Sequence, residues 1–269
     1  MRLAVFLLTA SALCGQDARE IVRKSFDLDE ANSMAMRNYT WTAKEIERHF
    51  DPKGAVTSEE SKRWETVMLY GEPFRRVLER HGKPLSAEEQ RREQEKLDKR
   101  VAKFAHQTPD ERAHRLAKRE NERKKEREFL MEIPDMFDFK IVRSDKVDGR
   151  DVWVIAATPR PNYTPRHSDA KPLLKMKGEI WIDKIESQWV RLEAETIDTI
   201  SLGWFLARLS PGAKLSIEQS RVNDEIWLPK HMLVRGAARL ALFKRMSMEQ
   251  DLTWSNFRKF QVESTVITQ

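Results

Sequence analysis

From Lys177 to Thr196 the chain reads KGEIWIDKIESQWVRLEAET, two alternating segments joined by a short polar turn. In the first, Ile180 and Ile182 point one way and Glu179, Trp181 and Asp183 the other; in the second, Val190, Leu192 and Ala194 alternate with Trp189, Arg191, Glu193 and Glu195. A period of two is the spacing of a β-strand, and two such runs about a turn make a hairpin. With one face apolar and the other polar and tryptophan-bearing, the pattern predicts an antiparallel sheet covered on one side.

The same alternation recurs along the chain. Extended runs are predicted at about 38–49 and 56–69 around the turn Asp51-Pro52-Lys53-Gly54, followed by Phe74 to Arg80, which closes at His81-Gly82-Lys83-Pro84. KIVRS and VWVIAAT flank the Asp148-Gly149 turn, and KLSIEQSRV, EIWLPKHMLVRG, ARLALFKRMSMEQDLTW and SNFRKFQVEST continue the pattern to the end. These make about ten strands. They are not interleaved with helices, so the fold class is α+β and mainly β: one large antiparallel sheet with helical additions. Asp17 to Met36 forms an amphipathic helix with Ala18, Ile21, Val22, Leu28 and Met36 on one face, placed to pack on that sheet.

Between Ser86 and Glu128 the composition changes to fourteen Lys/Arg and eleven Asp/Glu with no glycine. Ser86 with Glu89 makes a capping box, and Thr108-Pro109-Asp110-Glu111 repeats the start signal with proline at the first helical position. Two charged helices are predicted from these signals, about 87–105 and 109–132, as a helical insertion at about 86–132. Their apolar residues, among them Leu97, Phe104, Leu116, Phe129, Leu130 and Ile133, suffice to hold them to a surface but not to build a core. The two charge signs are interspersed, which describes a solvated face and not a nucleic-acid arm. The net charge of +6 over 269 residues points the same way.

The first residues, MRLAVFLLTASALCGQ, place Arg2 before an apolar run and small residues where a signal peptidase cuts, so residues 1–15 read as an export signal and 16–269 as a single mature domain. No later segment reaches the ~20 apolar residues a membrane span needs. Cys14 is the one cysteine, and its flanks, Leu13 and Ser11, are not those of a lipid-attachment site. Lost with the signal, it leaves no thiol for disulfides, thiolate catalysis or metal binding.

No catalytic set stands out. There is no glycine-rich phosphate loop, G-x-S-x-G elbow or H-E-x-x-H helix, and the six histidines are scattered without ligand spacing, so neither a metal site nor a cofactor is expected. Glu193 and Glu195 share a strand face, as paired glycosidase carboxylates can, but a solvated outer face with Arg191 and Trp189 accounts for them. The chain reads as non-enzymatic.

A sheet this large has more apolar face than one short helix covers, which predicts a concave hollow for an apolar ligand. Strand parity assigns its wall to Trp41, Ile180, Ile182, Val190, Leu192, Leu215, Ile217, Met232, Val234, Leu240 and Leu242, with Leu202, Trp204, Phe205 and Leu206 from the SLGWFLARLSP segment as a lid laid across the sheet. Trp181, Trp189 and Trp227 are out of phase with that set and belong on the convex face.

The export signal, the helix DAREIVRKSFDLDEANSMAMRNYTW, the GEIWIDKIESQWVRLEAE hairpin and the NDEIWLPKHMLVRG strand resemble the periplasmic lipoprotein-carrier (LolA/LolB-like) family, above all its outer-membrane lipoprotein-sorting members. The resemblance implies an unclosed β-barrel of about eleven strands with a helical lid, whose apolar hollow binds acyl chains. It further implies a monomeric, soluble periplasmic carrier, with lipid or acylated lipoprotein as partner and a membrane-protein donor or acceptor. The charged insertion at 86–128 has no counterpart in the founding carriers, which leaves an alternative open: an envelope interaction protein that docks a partner on those helices.

Overall fold

The computed structural model describes residues 17–202, 207–240 and 244–259. After the helix α1 (Ala18–Ala35) come β1 (Tyr39–Phe50), β2 (Val56–Leu69), β3 (Glu72–Arg80) and the short β4 (Lys83–Pro84). Two helices, α2 (Ala87–Ala105) and α3 (Pro109–Met136), lead to β5 (Phe137–Val147), β6 (Arg150–Pro159), a 3-10 segment at Ser168–Lys175, β7 (Met176–Asp183) and β8 (Trp189–Thr196). The remainder is β9 (Ile200–Leu202), β10 (Ala207–Leu209), β11 (Lys214–Val222), β12 (Ile226–Leu240) and β13 (Lys244–Lys259).

All strands join one antiparallel sheet in the order β4-β3-β2-β1-β13-β12-β11-β8-β7-β6-β5, with the small β9–β10 hairpin added beside β12. The sheet is unclosed, with β4 and β5 at its edges. Positive backbone angles at the tight turns match their residues: φ is +48° at Asp148 and +80° at Gly149 between β5 and β6, and +52° at Asn223 and +55° at Asp224 between β11 and β12. These are the residues that tolerate the mirror-image turns of two-residue hairpins.

The edge strands β4 and β5 are separated in sequence only by the charged helices, so this segment is the crossing between the two sheet edges. At 28 residues, α3 is about 42 Å long, enough to run from one side to the other. Both helices begin with complete capping boxes, at Ser86/Glu89 and Thr108/Glu111. Helix α2 is fixed near β3 by Phe104, which is buried between the guanidinium groups of Arg100 and Arg115 at 4.7 and 4.5 Å from its ring. Those same arginines clasp Glu72 at 2.7 and 2.9 Å. At its other end α3 lies beside α1, joined by Arg127–Glu30 at 2.9 Å and Arg23–Asp135 at 3.1 Å.

Helix α1 starts at Asp17, whose carboxylate accepts the Arg19 N–H at 3.0 Å. It buries Ala18 and Val22 against Ile155, Ile180 and Ile182 of the sheet. Full burial of a side chain such as Val22 contributes about 1.5–3 kcal/mol. The opposite face of the same strands has its own cluster, Val152, Val154, Trp181, Val190 and Trp227. Among the described residues no helix roofs it; the Arg143 and Arg191 guanidinium groups lie over Trp181 at 5.6 and 5.7 Å.

The SLGWFLARLSP segment differs from the layer laid across the sheet that its apolar run suggests. Its described parts are strands that pair with each other and with β12. Trp204, Phe205 and Leu206 lie outside the described residues, and of Leu202 only the backbone, in β9, is described. Among the described residues no helix is long and apolar enough to cross a membrane.

Candidate functional site

Two rows of cross-strand partners run over the helix-facing side of the sheet. One is bulky throughout: Ile141, Ile155, Ile180, Leu192, Ile217 and Met232 on successive neighbours from β5 to β12. The adjacent row is Phe139, Ala157, Gly178, Ala194, Leu215 and Val234. Three small residues side by side, Ala157, Gly178 and Ala194, make a depression between large neighbours. Gly178 is held to glycine by the closeness of the strands, since a Cβ there would run into the Glu193 carbonyl.

Phe26 of α1 and Leu130 and Ile133 of α3 partly cover the depression, and together with Phe137, Leu173 and Trp189 they line a half-open apolar hollow of about 250 Å³.

One polar group reaches the hollow from α1. Asp29 falls on the apolar stripe of the helix, one turn beyond Phe26, and its Oδ1 accepts from the amides of Gln219 at 2.8 Å and Gln188 at 3.5 Å. Burial pushes the Asp29 carboxyl above its ordinary range, against the opposing hydrogen bonds of Gln219, Trp189 and Gln188. The Gln188 amide is fixed in turn by donation to Gln219 at 3.1 Å and by the Asn32 amide, which donates to its carbonyl at 2.8 Å. The Trp189 indole N–H, close enough to favour the Asp29 carboxylate, makes no hydrogen bond of good geometry and is buried.

Of the residues assigned to the wall by parity, Ile180, Leu192, Leu215 and Ile217 line the hollow together. Ile182 lies under α1 with Val22. Met232 and Val234 share the face but sit one strand past β11, outside the lining. Trp41 packs with the cluster of Tyr39, Ile226 and Leu228 near the end of α1. The backbone of Leu240 pairs with Ala207 and Lys244, and Leu242 lies outside the described residues.

Val190 and Trp189 exchange sides relative to strict alternation. The register between β7 and β8 shifts between Trp181, opposite Arg191, and Ile182, opposite Trp189. Such a bulge adds one residue to a strand and inverts the parity beyond it. Trp189 therefore lines the hollow, while Val190 is buried on the other face with Trp181 and Trp227. Glu193 and Glu195 border an adjoining, more polar groove with Lys177, Lys214 and Arg235, and Glu193 also lines the hollow.

Phe26, Asp29, Ala157 and Gly178 were not singled out by parity, and Ala194, placed on the apolar face with Leu192, was not assigned to the wall. A carboxylate inside the apolar stripe of α1 is a sequence signal for Asp29; the small residues become a floor only once three strands are in register. Among the described residues no cluster of histidine, cysteine and carboxylate side chains is placed to hold a metal ion.

No protein-family model matches the sequence, and no curated protein matches it. Among solved structures, a LolA superfamily protein from Nitrosomonas europaea is 10% identical, with 94% of this chain and 98% of that one covered at a TM-score of 0.31. A DUF1329 family protein from Desulfovibrio piger is 14% identical, with 91% and 94% covered at a TM-score of 0.30. An outer membrane lipoprotein-sorting protein domain from Vibrio parahaemolyticus is 11% identical, with 90% and 94% covered at a TM-score of 0.30. At such distances the function has to be sought in the hollow's own residues.

Proposed function

We propose that this protein is a non-enzymatic carrier that holds an apolar chain of a lipid or acylated protein in the hollow beneath α1 and α3. The observation that carries the reading is the hollow itself: a space of about 250 Å³ floored by Ala157, Gly178 and Ala194 and roofed by Phe26, Leu130 and Ile133. A mainly apolar concavity with a few polar residues, here Asp29, Glu179 and Glu193, is the usual make-up of a small-molecule site. An export signal at residues 1–15 would put the carrier in the periplasm, where an acyl chain moving toward the outer membrane needs shelter from water.

Energetics set the size of the ligand. Each buried methylene gains ~0.8 kcal/mol, so about six offset an association cost near the lower end, about 5 kcal/mol. The hollow is slightly smaller than the ~300–1,000 Å³ of drug-sized pockets, which suits one chain of about eight carbons or the end of a longer one.

Native mass spectrometry of protein purified from its own envelope, followed by lipid extraction, tests the reading. A bound acyl-containing molecule is expected, displaced by a fluorescent fatty-acid probe. Protein that is ligand-free and does not take up the probe would remove the proposal.

A further inference from the structure

The apolar face of the sheet continues past the hollow. The lining reaches β11 with Leu215 and Ile217 and includes no residue of β12. On β12, however, Val234 stands directly opposite Leu215 and Met232 directly opposite Ile217, on the same face. On β13 the face goes on with Leu252, the partner of Met232, and Met248, the partner of Gly236. All four side chains are half-exposed. Gly236 keeps the strip low beside Met248, since a Cβ there would run into Ala213. Gln250, between Met248 and Leu252, turns its amide to Glu45 of β1, where the charged part of the face begins. From Met232 to Gly236 the strip runs about 13 Å along β12.

We infer that the ligand is a long, unbranched acyl chain whose end fills the hollow and whose remainder lies along the strip of Met232, Val234, Leu252 and Met248. The inference rests on the proposed carrier function and decides which chains it takes, long ones over short. Carbons that the hollow leaves outside would otherwise meet water, and the strip is the apolar surface that adjoins them at β11. Methionine suits such a track, because its unbranched thioether adapts to a flexible chain of no fixed shape. A face buries one side of the chain where a cavity buries it all round. Each added methylene on the strip therefore gains about twofold in affinity, against about fourfold for full burial.

Displacement of a fluorescent fatty-acid probe by octanoate, dodecanoate and hexadecanoate, each below its aggregation concentration, tests this. On the wild type the affinity should climb through the series, about twofold per methylene beyond octanoate. In the double variant Met232→Gln, Met248→Gln, hexadecanoate should fall toward octanoate, whose own binding reports that the hollow is folded. A second measurement needs no variant. Hexadecanoate should slow peroxide oxidation of Met232 and Met248 in the wild type but not of Met34, which is 53% exposed on α1, and octanoate should slow none of them. An affinity that levels off at octanoate, a full climb retained by the double variant, or oxidation of Met232 and Met248 that ignores hexadecanoate overturns the strip but leaves the hollow standing. Protection that follows protein concentration and not ligand would mean that a second copy of the chain covers the strip, and overturns it too. Binding of none of the three acids to the wild type overturns both.

Discussion

The helix-facing side of the sheet divides into two halves that obey the same alternation and bury different things. From β5 to β8 and β11 it carries Ile141, Ile155, Ile180, Leu192 and Ile217, and α1 and α3 lie over it. From β13 through β1 to β2, the positions continuing that face include Gln250, Glu45, Glu47 and Lys62. There the Gln250 amide donates to Glu45, and the partly exposed His49 lies 3.0 Å from Glu47. Both halves are good strands, so β-pairing does not distinguish them. What differs is cover: beneath α1 and α3 the face is apolar, whereas on β1 and β2 it mixes buried apolar positions such as Ala43 and Trp64 with charged ones. The hollow lies in the first half, where α1 and α3 partly cover the apolar face.

A charge introduced into each half should expose that difference most strongly. Leu192→Asp or Ile217→Asp places a carboxylate beneath α1 and α3 without a partner and should cost at least about 3–4 kcal/mol, unfolding the protein or abolishing ligand uptake. Glu45→Ala in the other half, or Glu193→Ala on the polar groove, should stay within about 0.5 kcal/mol. Denaturant unfolding of the four variants is the measurement. Equal losses in the two halves would break the comparison.

The roof depends on the crossing helices, and Glu72 is where they are clasped to the edge of the polar half. Burial raises its carboxyl, but the hydrogen bond from Arg115 and the charges of Arg100 and Arg115 outweigh it and hold the group below its ordinary value. A carboxyl depressed in the folded state contributes stability present above its unfolded value of 4.5 and lost as the pH falls through the folded value. Glu72→Gln should cost about 1–2 kcal/mol at neutral pH, less than a fully buried pair would, and the deficit should shrink below pH 4.5. A deficit independent of pH would mean that packing around Phe104, and not the ion cluster, holds α2.

Much of this architecture is legible in the sequence, and the parts that are not share a cause. The hairpins around Asp148-Gly149 and Asn223-Asp224, the capping boxes at Ser86 and Thr108 and the alternation of Lys177–Thr196 are local, so the residues alone suffice. Alternation is counted along one strand and cannot register the bulge that puts Trp189 inside and Val190 outside. Ala157, Gly178 and Ala194 carry no signal singly and form a floor only through pairings 16 to 21 residues apart. That the charged helices cross the sheet comes from β4 and β5 being its edges, which only the strand order reveals.

The small-residue floor gives a prediction that separates ligand binding from folding. Ala194→Leu should fill part of the 250 Å³ space, leave the stability unchanged or raise it by about 1 kcal/mol, and abolish uptake of acyl probes. The same enlargement at Ala43 on β1, which is buried and faces no such space, should overpack and destabilise by about 1–3 kcal/mol. Thermal unfolding with and without a probe reads both.

The smallest expected effect is also the one that reports most directly on Asp29. Burial raises this carboxyl, so the folded state holds the proton more tightly than the unfolded chain does. The favourable contribution of the protonated form is therefore complete below the unfolded value of 3.8 and is lost as the pH rises through the raised folded value. Asp29→Asn keeps the donors Gln219 and Gln188 supplied with an acceptor while removing the buried charge. The variant should match the wild type below pH 3.8 and become more stable than it toward neutrality, by under about 1 kcal/mol or roughly 2–4 °C in Tm. A variant less stable than the wild type at neutral pH would show that the carboxylate is held by its three donors more firmly than burial opposes it. Asp29 would then be a structural tie between α1 and the sheet, and the apolar half would owe its order to a polar contact.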